Sequence, residues 1–521
     1  MNENLPERTP WIIPVDLTPP SLEDNTADAD RLAQVLKQVL KTHQIRMDLS
    51  LLQDLPGLFR DAGWHIRCVV SREHDGFTLL DVFPAHETRP VAGVAVDLGT
   101  TRVVMRLVDL GTGATLKETA FDNPQGSIAP DILARIHHTD SSGGLGELNR
   151  LIVGGINTHI VSLCNASGIS TDAVYAISLA GNTAMTHLFL GLSPRWIIRE
   201  PYIPIVNTPP IFEAKALGID IFSRGRVLVF PNVGSYFGGD LIAGILYSGV
   251  HKREEISFLV DVGTNAEVLL GNRHWLMACA GAAGPALEGG AARMGMPAGP
   301  GAIDRVRIEP NSKAFSIHTI DEKPARGICG SGLIDLAAQL FAAGMVDIQG
   351  RFVAAECGDR LVEIEGVRHL VVVPAEASES GRTLTLSQTD LDSLVRSKAA
   401  MYTILNTIAS SVGVTLSEIE TFYVAGTFGA FIDPESAVTI GMLPDLPREK
   451  FVSIGNSSLE GAAMALAANN CLEEIHIIRD QITYMELNVN QEFMARFSAA
   501  KFLPHTDRTL FPSVGIPDTF P

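Results

Sequence analysis

Positive charge, grouped cysteines and long apolar runs are scarce in this sequence, and each scarcity removes a class of function. Forty Lys and Arg against 59 Asp and Glu leave a formal net charge of -19. Phosphate backbones are neutralised by basic clusters, so a nucleic-acid partner is excluded. The six cysteines (Cys68, Cys164, Cys279, Cys329, Cys357, Cys471) never stand at the short spacing of a zinc or iron-sulfur site. They read as small core residues in a reducing compartment. No stretch approaches the roughly 20 consecutive apolar residues of a membrane span. The opening MNENLPERTPWIIPVDLTPP has no basic segment followed by an apolar one, so no secretory signal is expected and the expected location is cytoplasmic.

What is present is a chain of 521 residues, 46% hydrophobic and 19% charged, enough for roughly three domains. Residues 1–27 are Pro-rich and polar and read as an extended lead-in. Residues 28–90 read as a small α/β domain. Leu32, Val35, Leu36, Val39 and Leu40 recur at helical spacing, Trp64, Ile66, Cys68 and Val70 alternate as in a strand, and a turn at His74 to Gly76 leads into FTLLDVF. From residue 91 strands alternate with helical stretches, the pattern of a layered α/β fold.

That region also repeats. VAVDLGTTRVVMRLVD returns as FLVDVGTNAEVLLGN, and AISLAGNTAMTHLFLG is echoed by FYVAGTFGAFID. Asp97 and Asp261 are 164 positions apart and Gly181 and Gly426 are 245 apart. A duplicated lobe with an insertion in its second copy accounts for the difference. The expected lobes are about 91–250 and 251–521, with the insertion at about 300–395.

The repeated corners have a chemistry. Glycine lets backbone N-H groups approach an anion without a Cβ in the way, and threonine hydroxyls add donors. An acid beside a phosphate makes sense when a divalent cation lies between them. Asp97 with Gly99, Thr100 and Thr101, and Asp261 with Gly263, Thr264 and Asn265, are therefore expected to face one Mg-nucleotide from two sides. One such corner alone reads more simply as an ordinary Gly-Thr turn, and the second copy favours the phosphate reading. Gly181 and Asn182 in the AGNT phrase, and Gly426, Thr427 and Gly429 in VAGTFG, complete the expected nucleotide site.

The order DLGTT, AGNT, DVGTN, VAGTFG and IGNSSLEGAAMAL resembles the superfamily of acetate and sugar kinases, heat-shock chaperone ATPases and actin. Within it, DNPQ, AGNTAMTHLFLGL, DVGTNAEVLLGN, CAGAAGPALEGG, GICGSGLID and AGTFGAFID resemble the reductive activators of corrinoid proteins. The resemblance implies two RNase H-like lobes of the actin-like ATPase fold, preceded by a small α/β domain, residues 28–90, of the family's middle type. It implies ATP and Mg2+ as ligands, with Asp97 and Asp261 facing the metal, and a corrinoid protein of a methyltransferase system as partner. The implied activity returns cob(II)amide to cob(I)amide. Familiar members carry an iron-sulfur domain with clustered cysteines, and this chain does not. No iron-sulfur cluster is expected here, and a separate ferredoxin-like protein is the expected electron donor. The resemblance also admits a homodimer.

Asp240, in YFGGDLIAGILYSGV, follows paired glycines at the expected start of a helix. Sugar kinases of the superfamily place a catalytic base at a similar point, so Asp240 reads either as a base that orients a water or hydroxyl, or as a helix N-cap. His137 and His138 lack further ligands nearby and read as surface residues, and Met294 and Met296 read as packing. Two other functions fit the same residues: a small-molecule kinase using Asp240, and a non-redox ATP-driven reactivase of a corrinoid enzyme.

Overall fold

The computed structural model describes residues 10–262, 266–281, 292–426, 432–467, 471–487 and 491–515. The first element group is β1 (Ile12–Asp16), α1 (Asp28–Val39), β2 (Ile45–Met47), α2 (Leu49–Asp61), β3 (His65–Glu73) and β4 (Gly76–Pro84). Its sheet runs β1-β3-β4-β2. Leu32 and Leu36 of α1, with Leu51, Leu55 and Phe59 of α2, stand four apart and so share one helix face, buried with Ile66, Cys68 and Val70. Residues 1–27 are not an extended lead-in throughout. Ile12–Asp16 pairs antiparallel with β3, and Trp11, Ile13, Val15 and Leu17 are buried. Pro14 is tolerated within it because β1 lies at the sheet edge, where a missing N-H costs no ladder bond.

The next elements are β5 (Ala92–Leu98), β6 (Arg102–Asp109), β7 (Thr115–Asp122), α3 (Ile132–His138), α4 (Gly144–Ser167), β8 (Val174–Gly181), α5 (Thr183–Phe189), β9 (Phe212–Glu213), β10 (Arg226–Val229) and α6 (Gly239–Ser248). Their sheet runs β7-β6-β5-β8-β10-β9. Central β5 is antiparallel to β6 and parallel to β8. A strand with neighbours on both sides and layers on both faces is apolar almost throughout, as AGVAVDL is. The small domain joins this sheet through buried Asp81, which accepts hydrogen bonds from the Tyr175 hydroxyl at 2.8 Å and the Val82 N-H at 3.0 Å.

Two compact units emerge. One comprises the chain up to Tyr247 together with Ser457–Gln481, the other Ser248–Asn456 together with residues from Ile482 onward. The expected second lobe of about 251–521 is therefore interrupted. Helix Ser457–Ala467 belongs to the first unit because its buried face is built from Ser458, Gly461, Ala462 and Ala465. A Cβ on Gly461 would stand 2.0 Å from the Ala243 carbonyl oxygen, so only glycine permits this approach to α6. The helix is tied further by Arg106, whose guanidinium donates to both carboxylate oxygens of Glu460 at 2.8 and 2.7 Å.

The second unit contains β11 (Ser257–Val262), β12 (Ala266–Asn272), β13 (Trp275–Gly281), β14 (Ala302–Ile308), β15 (Phe315–Thr319), β16 (Gly327–Ile328), β17 (Leu361–Ile364), β18 (Val367–Val373), β19 (Leu384–Ser387), β20 (Thr421–Ala425), β21 (Phe451–Gly455) and β22 (Ile482–Tyr484). Its main sheet runs β21-β20-β11-β12-β13-β22, and central β11 is antiparallel to β12 and parallel to β20. This is the neighbour pattern of β5. Residues 300–395, the expected insertion, hold two three-stranded sheets, β15-β14-β16 and β17-β18-β19, and the helix Gly330–Ala342. Gly332 opens that helix against β14, where a Cβ would lie 2.1 Å from the Ile303 carbonyl oxygen. Among the described residues no helix is long and apolar enough to cross a membrane.

Candidate functional site: two acidic corners

The first corner is built at the C-terminal ends of β5 and β8. Asp97 is half-buried on β5, in register with Val104 of β6 and Ala180 of β8. Its Oδ1 accepts a hydrogen bond from the Ser458 hydroxyl at 2.9 Å, across 361 positions of sequence. Gly99 makes the bend possible: a Cβ there would lie 2.3 Å from the Arg102 carbonyl oxygen. Asn123 braces the bend from outside. Its Nδ2 donates to the Gly99 carbonyl at 2.9 Å, and its backbone N-H donates to the Thr101 carbonyl at 2.7 Å. Thr100 accepts at Oγ1 from Asn182 Nδ2 at 3.2 Å.

Gly181 ends β8 in register with Leu98, and a Cβ on it would approach the Leu98 carbonyl oxygen to 2.9 Å. Asn182 then caps α5, its Oδ1 accepting the Met185 N-H at 3.0 Å. The cap leaves the Asn182 amide NH2 for Thr100, so one side chain orders both the helix start and the loop. His187 anchors α5 from behind. It is fully buried, which lowers its pKa, and its Nε2 accepts the Ile205 N-H at 3.1 Å while Nδ1 donates to the Thr183 carbonyl at 2.7 Å.

Asp240 lies in the first turn of α6, one residue inside its start, so it is not the N-cap. The bond closing the first turn runs from the Ile242 N-H to the Gly238 carbonyl, which puts the cap at Gly238. The Asp240 Oδ1 accepts the Leu241 N-H at 2.9 Å. A Cβ on Gly238 would stand 2.6 Å from that Oδ1 and 2.5 Å from the Asn182 Cα. Asp240 and Asn182 therefore flank the same glycine. Asp97, Gly99, Thr100, Thr101, Gly181, Asn182 and Asp240 are brought together in one unit by these contacts.

The second corner repeats the placement. Asp261 stands on β11 in register with Glu267 of β12 and Ala425 of β20. Gly426, immediately after β20, has φ +83°, and a Cβ on it would lie 2.8 Å from Asp261 Oδ1. Glycine is required there twice, by conformation and by space. Gly263, Thr264, Asn265, Thr427 and Gly429 lie outside the described residues.

The described donor set fits Mg-ATP: each corner offers one carboxylate of the kind Mg2+ takes, beside a glycine with no room for a Cβ, and the first adds Thr hydroxyls and an Asn amide. Two contributors cannot be found from sequence pattern. Asn123 sits in the DNPQ phrase and Ser458 in IGNSSLEG, yet neither spacing nor periodicity says what either side chain touches. The cysteines are buried, and burial pushes the Cys68 and Cys279 thiols upward and the Cys357 thiol up to about 11. Cys329 donates to the Ile303 carbonyl. His138 pairs with Glu147 at 2.9 Å on the surface. Among the described residues no three His, Cys, Asp or Glu side chains are grouped to hold a metal.

Three family models cover nearly the whole chain in order: the RACo linker region matches residues 11–89, the RACo middle region 92–253, and the C-terminal domain of RACo, the ASKHA domain, 255–515. The chain belongs to the RACo family. A solved structure described as a reductive activator for corrinoid, iron-sulfur protein is 36% identical, with a TM-score of 0.86 over 99% of this chain and 82% of that one. The corrinoid activation enzyme RamQ of Eubacterium limosum is 28% identical over 482 residues, covering 91% of this chain and 79% of RamQ. The reductase of the Co(II) methylated amine-specific corrinoid protein of Methanosarcina barkeri is 24% identical over 427 residues, 75% of this chain and 73% of its own. RACo membership gives residues 255–515, which hold the second main sheet, an ASKHA-type domain, consistent with an actin-like ATPase fold.

Proposed function

We propose that this RACo chain is an ATP-dependent reductive activator of a corrinoid protein, supporting return of cob(II)amide to cob(I)amide for methyl transfer. The nucleotide part is carried by one observation: Asp97 and Asp261 occupy equivalent positions in two sheets of the same neighbour pattern, each beside a glycine whose Cβ would collide. The corrinoid part is supported by family membership and by the relatives' activities.

Asp97 and Asp261 take the metal, which neutralises phosphate charge when bound. The Gly99–Thr101 bend and the Asn182 amide hold phosphate oxygens. Asp240, beside Asn182, orients the attacking water for ATP hydrolysis to ADP and phosphate. One electron reduces the cobalt, and it comes from a separate ferredoxin-like donor. ATP can drive this uphill transfer only if the nucleotide-bound protein binds the two cobalt states differently. The same linkage predicts that the corrinoid partner changes nucleotide affinity.

The test mixes the protein with a panel of methyltransferase corrinoid proteins in the cob(II) state, Mg-ATP and a low-potential reductant, and follows the cobalt absorption. Formation of cob(I) that requires ATP is expected. Its absence across the panel overturns the proposal. Asp240 also suits phosphoryl transfer to a hydroxyl, so a phosphorylated metabolite found in a substrate screen would establish the kinase reading instead.

A further inference from the structure

A charged side chain with no reacting group beside it lies behind the first corner. Arg135, on α3, is fully buried. Its Nε donates to the Ala129 carbonyl at 3.1 Å, and its Nη1 donates to Gln125 Oε1 at 3.1 Å and to the Met185 sulfur at 3.2 Å. All three acceptors are neutral. Burying a guanidinium against neutral acceptors is costly, and an aliphatic side chain would fill a core more cheaply. Burial accordingly lowers the Arg135 pKa.

The partners of Arg135 show what the charge holds. Gln125 is also fully buried, and its Nε2 donates to the Leu148 carbonyl at 2.9 Å. Its backbone N-H donates to Asn123 Oδ1 at 3.0 Å. Asn123 in turn grips both the Gly99 and Thr101 carbonyls. Along the other arm, Met185 gives its N-H to Asn182, which holds Thr100. The two arms leave one guanidinium and close on consecutive residues of the same bend.

We propose that Arg135 is a positioning residue for nucleotide binding, fixing the Gly99–Thr101 bend from both sides through Gln125–Asn123 and Met185–Asn182. Its hydrogen bonds to Ala129, Gln125 and Met185 reach neither Asp97 nor Asp240 directly. The inference rests on the nucleotide reading of that corner. The guanidinium sets Nε on the Ala129 carbonyl and Nη1 on Gln125 and Met185 in one rigid plane, a geometry that the compact, freely rotating ammonium of lysine does not reproduce.

The experiment measures Mg-ATP affinity by calorimetry and thermal stability for wild type, Arg135→Lys, Asn123→Ala and the double variant. Absence of Mg-ATP binding to wild type would overturn the nucleotide reading itself, before any variant is compared. With binding present, each single variant is expected to weaken Mg-ATP by roughly tenfold. The double variant should be little weaker than Arg135→Lys alone, because that change already cuts the arm that Asn123→Ala removes. A purely structural role would lower the melting temperature and leave the folded protein's affinity unchanged, or give independent, multiplying losses; either overturns the proposal. If Arg135→Lys does not fold, Met185→Leu and Asn123→Ala cut the two arms separately with little change in bulk. Asn123→Ala should weaken the folded protein's binding roughly tenfold and Met185→Leu several-fold, and wild-type affinity in both contradicts the positioning role.

Discussion

The two acidic corners share a strand pattern and differ in how the acid is held. Asp97 is held by a hydroxyl donor, Ser458, brought from 361 positions away on a helix that returns to the first unit. Asp261 stands against the space that Gly426 leaves, in a left-handed conformation, directly after the neighbouring strand. The hydroxyl at the first acid comes from a distant segment, and the close approach at the second comes from a missing Cβ. The carboxylate nevertheless sits at an equivalent register position in both sheets. A function that needs two carboxylates at equivalent positions explains why the placement is common to both.

The comparison is also asymmetric in chemistry, because Asp240 lies beside Asn182 in the first corner. The largest expected effect follows from this. Asp240→Asn should slow ATP hydrolysis by about 10²- to 10⁴-fold, the usual contribution of a positioned acid or base, while Mg-ATP affinity in a calorimetric titration stays near wild type. A parallel loss of affinity would make Asp240 part of the binding corner and remove the asymmetry.

The next effect separates the two corners. Gly426→Ala places a Cβ 2.8 Å from Asp261 Oδ1 at a backbone φ of +83°. A cost of about 1–3 kcal/mol in unfolding free energy is expected from strain alone, with weakened Mg-ATP binding as Asp261 shifts. Unchanged chemical denaturation and affinity would show that the close approach is not needed. A smaller effect is expected for Ser458→Ala, which removes one hydrogen bond to a half-buried carboxylate, about 1 kcal/mol. Mg-ATP should bind roughly tenfold more weakly, with stability little changed; equal affinity would leave Asp97 oriented by other contacts and erase the difference between the corners.

Much of this architecture is legible in the amino-acid sequence. The Asp-apolar-Gly-Thr phrases lie between strongly apolar strands, so their placement at strand ends follows from hydrophobic pattern and glycine chemistry. The small domain is readable from the four-residue spacing of Leu32 and Leu36 and the alternation through Cys68. Other features are not. Strand Ile12–Asp16 is short and flanked by prolines, and its burial comes from pairing with a strand over 50 residues later. Helix Ser457–Ala467 is visible as a helix, but its Ser, Gly and Ala face does not announce which sheet it approaches. The bonds of Ser458 and Asn123 exist only once the chain has folded. Asp240 reads as a possible N-cap because acids favour helix starts, whereas the cap falls two residues earlier at Gly238.

We propose that both corners serve nucleotide binding. Calorimetric titration of Mg-ATP into wild type, Asp97→Ala and Asp261→Ala tests it most directly. Wild type should bind one Mg-ATP per chain, and each variant should lose affinity roughly a hundredfold, as removal of a metal-facing charge requires. Wild-type affinity in both variants would contradict it.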